Sequence, residues 1–258
     1  MATASAESLS AAVRADGDVK LIPYLMAGYP DRARSVDLGR MYARSGAAAI
    51  EVGIPFSDPL ADGPVVQRAG QVALEGGMTV AGALGVAAEV AAEGVPVVLM
   101  TYVNPLLAYD PRRFAADAAK AGARGVILVD LPVEESASIA EWLRSAGLDT
   151  VFLVAPTSPD PRLELAAGAA SGFVYCVTVT GVTGIRHDLD PRLEDLLRRV
   201  RAVTTLPIAA GFGISRPAHI RALRGQADAA VVASALLNEV HEGRDPKALF
   251  EELANGWR

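Results

Sequence analysis

The chain has 258 residues, 51% of them apolar and 5% aromatic, with a formal charge of −6. That supplies a sizeable core, and the acidic balance argues against a nucleic-acid backbone binder, which calls for a basic face. The single cysteine, Cys176, excludes an intramolecular disulfide and a multi-cysteine metal site. His187, His219 and His241 are scattered, so no metal site is indicated. No stretch approaches the roughly 18 apolar residues that span a bilayer. The opening MATASAESLS lacks the basic start and apolar run of a secretory signal, so a soluble cytoplasmic protein is expected.

Ser5 to Ala15 carries Leu9, Ala12 and Val13 at the spacing of a short amphipathic helix. Lys20–Leu25 reads as the first strand, Arg34–Ser45 as a helix, and Ala48–Val52 as the second strand. Helical stretches over Val65–Leu74 and Val80–Ala92 follow, then a third strand, Pro96–Thr101, closed by Asn104-Pro105. Leu106-Leu107 reads equally as an exposed apolar contact or a helix lead-in. Beyond them come helix Pro111–Ala121, strand Gly125–Asp130, helix Glu134–Ala146, strand Thr150–Val154 and a helix through Ala169. The remaining strands are Gly172–Val177, Leu206–Ala210 and Ala229–Val232; the remaining helices are Pro191–Val203, Arg216–Leu223 and Pro246–Leu253.

Four helix-to-strand junctions look alike: Ser45-Gly-Ala, Ala121-Gly-Ala, Ala170-Ser-Gly and Arg224-Gly-Gln-Ala, where glycine ends a helix and lets the chain reverse. Near-continuous Val/Ile/Leu strands imply burial on both faces, hence a parallel sheet covered by helices. Eight such units without a linker predict an α/β fold, a single (β/α)8 TIM barrel over residues 1–258 with a short N-terminal helix and extra helical segments.

In that architecture the loops after the strands form the active face. Glu51 interrupts an apolar strand at its C-terminal end, and a carboxylate is costly to bury without a partner. With Asp58 and Asp62 in the loop beyond, it is a candidate catalytic group. The plainer alternative is a solvated strand end followed by turn-forming Asp-Pro and Asp-Gly pairs. Asp130 closes the fourth strand, and Tyr175 lies near the end of the sixth.

The segments Thr178–Asp188, Gly211–Ser215 and Ala233-Ser234-Ala235 together resemble a phosphate site. Gly211 and Gly213 would let backbone N–H groups approach an anion, with Ser234 as an N-cap donor. Gly181 and Gly184 would let the sixth loop fold over a ligand. The strand-seven and strand-eight loop tips carry no Lys or Arg before Arg216, so neutral donors are expected to hold the charge.

EVGIPFSDPLADGPVVQ at 51–67, with Asp130-Leu-Pro-Val-Glu-Glu-Ser136, Gly181-Val-Thr-Gly184 and Gly211-Phe-Gly-Ile-Ser215, resembles the tryptophan synthase α family over nearly the whole chain. The resemblance implies a lyase that cleaves indole-3-glycerol phosphate to indole and glyceraldehyde 3-phosphate. It also implies a β-subunit partner carrying pyridoxal phosphate, in a heterotetramer, with no cofactor in this chain. By the same resemblance Glu51 and Asp62 match catalytic carboxylates and Tyr175 an active-site tyrosine. Gly184, Gly213 and Ser234 match phosphate-binding positions, and Thr183 a mobile-loop threonine. Ala233 departs from the family's frequent glycine, but its N–H remains available.

That chemistry would have Glu51 protonate indole C3 while Asp62, ionised, steadies the charge at the ring nitrogen. Phe212, Tyr24, Met100 and Ile127 would sandwich the indole, although core packing also accounts for them. The expected docking surface is Ile54–Pro59 with the Asn104-Pro105 loop. A stand-alone lyase releasing free indole, or a catalytically silent allosteric partner, would carry the same motifs.

Overall fold

Eight short runs form parallel strands: β1 (Lys20–Met26), β2 (Ile50–Gly53), β3 (Val97–Thr101), β4 (Ala123–Leu128), β5 (Asp149–Val154), β6 (Val174–Val177), β7 (Ile208–Gly211) and β8 (Ala229–Val232). Each pairs with the next and β8 returns to β1, closing the barrel. This is a computed structural model, and it describes residues 8–177, 191–211 and 213–256. The first helices in chain order are α1 (Leu9–Val13), α2 (Arg32–Arg44), α3 (Pro64–Glu75), α4 (Val80–Ala91), α5 (Val103–Tyr109) and α6 (Pro111–Lys120). After them come α7 (Ala137–Ser145), α8 (Asp160–Ala169), α9 (Pro191–Val203), α10 (Pro217–Leu223), α11 (Ser234–His241) and α12 (Lys247–Ala254). Among the described residues no single helix is long and apolar enough to cross a membrane.

Side-chain alternation explains how these strands make a barrel. On β2, Ile50 and Val52 join the outer layer with helix residues such as Leu38, Val86 and Val90. Ala49 instead joins the interior with Ile22, Val98, Ile127, Val151 and Phe173. Successive strand residues point to opposite sides, so Glu51 is delivered inward by the apolar pattern around it. Leu9 and Val13 of α1 belong to the same interior cluster and plug the N-terminal end of the barrel. A Cβ at Gly125 or Gly172 would meet Leu9 Cδ2 at 2.8 Å, which explains both glycines.

The glycine junctions hold at three of four places. Gly46, Gly122 and Gly225 follow helices with φ of +89°, +81° and +77°, the left-handed geometry glycine tolerates. At the fourth, α8 ends on extended Ala170 (φ −72°, ψ 153°), and Gly172 serves to admit Leu9.

Three other expectations change. Asn104-Pro105 does not merely close β3; it lies inside α5, with Leu106 buried and Leu107 52% exposed. Pro105 is the third helical residue, where its missing N–H would have had no intrahelical partner. The predicted helix Glu134–Ala146 is a 3₁₀ turn at Val133–Glu135 followed by α7. β4 stops at Leu128, leaving Asp130 in the loop beyond.

Candidate active site

Glu51 stands opposite Tyr24 of β1 and Val98 of β3. It is 1% exposed, and its Oε2 has no hydrogen-bond partner. Burial, reinforced by the nearby charge of Asp62, pushes its carboxyl from the usual 4.5 up to about 8. Two buried tyrosines share this region. A Cβ on Gly53 would meet the Tyr24 hydroxyl at 2.0 Å, and one on Gly211 would meet the Tyr175 hydroxyl at 2.7 Å. The bare glycines therefore make room for both rings. Burial raises the pKa of each tyrosine well above 10.0, and Glu51 adds to both shifts.

Gly53→Ala would force Tyr24 out of this position. Overpacking of this kind costs about 1–3 kcal/mol, so the urea midpoint should fall while the slope stays constant. An unchanged midpoint would mean that the ring swings aside without cost.

Asp62 arrives on the loop between β2 and α3. The loop leaves the barrel with the Ile54 N–H donating to Met100 O at 2.9 Å. Tyr102 then pins it: its hydroxyl oxygen accepts the Ala61 N–H at 3.0 Å, and its ring lies 5.2 Å from that of Phe56. Gln67 Nε2 donates to Asp62 O at 2.9 Å and to Pro59 O at 3.3 Å. Partial burial raises the Asp62 carboxyl from 3.8 to about 6, with hydrogen bonding to Tyr102 pulling the other way. Two carboxyl groups thus share one site with protonation ranges pushed apart.

A cleft of about 780 Å³ opens at the C-terminal ends of the strands. Asp62, Met100 and Tyr175 line it together with Gly211, Gly213, Ala233 and Ser234. Gly213 has a φ of +73° and nothing within 4 Å of a Cβ position, so its backbone faces open space. Ser234 is not the N-cap, as expected from sequence, but the first residue of α11; Ala233 holds the cap position and makes no side-chain bond. Arg162, paired with Glu134 at 3.0 Å, is the one Lys or Arg among the described lining residues.

The other predicted residues divide as follows. Glu51, Tyr24 and Ile127 are all buried and are not among the residues that line the cleft, and Ile127 packs in the interior core. Thr183, Gly184 and Phe212 lie outside the described residues. Tyr102 was missed. It directly follows the last residue of β3, and reading the loop-after-strand rule one residue past Thr101 would have found it. Among the described residues no group of three or more His, Cys, Asp or Glu is placed to hold a metal ion.

A family-wide sequence model described as tryptophan synthase alpha chain matches residues 10–255. The tryptophan synthase alpha chain of Roseiflexus sp. (strain RS-1) is 47% identical over 232 residues, covering 89% of each chain. That of Acidiphilium cryptum (strain JF-5) is 48% identical over 253 residues, 94% of this chain and 91% of its own. Among solved structures, aminoacrylate-bound tryptophan synthase from M. tuberculosis superposes with a TM-score of 0.88 at 36% identity, over 98% of this chain and 100% of its own. The tryptophan synthase α2β2 complex of Pyrococcus furiosus gives 0.87 at 39% identity, over 93% and 99%.

Proposed function

The chain belongs to the tryptophan synthase alpha chain family, and from that premise we infer that it is the α subunit of tryptophan synthase. It is a carbon–carbon lyase that cleaves indole-3-glycerol phosphate to indole and glyceraldehyde 3-phosphate. It works beside a β subunit in an α2β2 heterotetramer, with pyridoxal phosphate held by the β partner. The observation that carries the catalytic reading is a buried Glu51, its pKa raised to about 8, close enough to feel the charge of a partly exposed Asp62 of lower pKa.

In the proposed reaction Glu51, protonated, delivers its proton to indole C3. Positive charge then spreads to the ring nitrogen, whose N–H donates to the Asp62 carboxylate. The bond from C3 to the glycerol chain breaks, and its electrons return to the ring. The adjacent hydroxyl becomes the aldehyde and gives its proton to Glu51, restoring the acid. Tyr175 lines the cleft and feels the charge of Glu51, and Met100 offers the ring an apolar wall. Backbone donors at Gly213 and Ala233 with the Ser234 hydroxyl take the phosphate, and the family resemblance adds Gly184 and Thr183 to the substrate-binding residues. The exposed Leu60 and Leu107 mark the face that meets the β subunit.

The test is to incubate the chain with indole-3-glycerol phosphate, with and without a β subunit, and follow indole. Activity that rises on mixing supports the subunit role. Equally strong activity alone supports a stand-alone lyase, and no indole in either case refutes the reaction. Turnover should follow a bell in pH. It is lost as pH falls through about 6, where Asp62 takes up a proton, and as pH rises through about 8, where Glu51 gives one up. A flat profile across that window contradicts the assignment.

A further inference from the structure

The proposed chemistry leaves one carboxylate at the cleft unused. Asp130, in the loop after β4, lines the cleft and is exposed. Its Oδ1 accepts the Val103 N–H at 2.8 Å. Val103 opens α5, and the residue at that helix's own cap position, Tyr102, makes no side-chain cap bond. A helix of seven residues is marginal alone, and its first N–H groups need partners from outside it. A carboxylate supplies one and complements the helix dipole. Tyr102 is also the residue that pins the Asp62 loop, through the Ala61 N–H and the Phe56 ring, and its hydroxyl pulls the Asp62 pKa down.

We propose that Asp130 is a positioning residue for Asp62: by anchoring the first turn of α5 it fixes Tyr102, and through Tyr102 the loop that presents Asp62 to the cleft. The proposal rests on the reaction inferred above and adds a residue that touches none of the reacting atoms. It also explains why a loop carrying two prolines and a 95% exposed Leu60 still delivers its last carboxylate to a defined place.

The experiment compares the parent, Asp130→Ala and Asp130→Asn, each mixed with the β subunit, by the pH dependence of kcat for indole formation. Asp130→Ala should lower kcat about tenfold, the scale of a small misplacement. It should also move the acid limb to higher pH, because Tyr102 no longer holds the Asp62 pKa down. Asp130→Asn keeps an oxygen that accepts the same N–H, so it should retain the parent's limb and most of its rate. An Asp130→Ala enzyme that melts lower but keeps the parent's acid limb overturns the proposal. So does an Asp130→Asn enzyme whose limb moves as far as that of Asp130→Ala. No indole from the parent would instead refute the reaction; an active parent with unmoved limbs refutes the anchoring alone.

Discussion

Glu51→Gln is expected to reduce indole formation by on the order of 10²–10⁴-fold, the contribution of a positioned general acid and base, while leaving substrate binding nearly intact. The amide matches the carboxyl in shape but has no proton to deliver to carbon and no basic oxygen to recover one. The same substitution should stabilise the fold. In the parent, the raised pKa means that the folded chain keeps a proton the unfolded chain releases. Its stability is therefore fully present below 4.5 and declines as pH rises towards about 8. Glutamine removes that decline, so above neutral pH the variant should be more stable by on the order of a few kcal/mol. Single-turnover indole release, ligand binding and thermal melts at two pH values test this together. Near-parent turnover would remove Glu51 from the mechanism.

Asp62→Asn should cost about 10²–10³-fold in kcat, as loss of a preorganised electrostatic partner does. The amide oxygen still accepts the ring N–H, but the negative charge that steadies the developing cation is gone. The acid limb of the pH profile should disappear with it, since that limb belongs to Asp62. Turnover reduced with the acid limb still in place would assign the limb elsewhere and leave Asp62 a substrate contact only.

The eight strands were legible because a parallel barrel buries each on both faces, and runs such as Val126-Ile-Leu128 have no polar side to obscure them. Glu51 was legible for the same reason, as a charge near the C-terminal end of a strand where alternation points inward. What escaped detection depends on distant partners. α5 is capped by a carboxylate 27 residues further on, so no local pattern marks its start. Gly211 reads in sequence as a backbone donor for an anion, yet it also clears space for the Tyr175 hydroxyl, a contact across two strands. Gly172 reads in sequence as a helix stop, yet α8 ends on extended Ala170 and Gly172 instead makes room for Leu9, from the other end of the sequence.

The account depends on Glu51 holding its proton at neutral pH, and the carboxyl stretch reports that proton directly. In an infrared difference spectrum of parent minus Glu51→Gln, a protonated carboxyl band should persist at neutral pH and vanish as pH rises through about 8. A band already lost near the ordinary carboxylate value of 4.5 would contradict the account, because no acid would remain at that carbon when the substrate arrives.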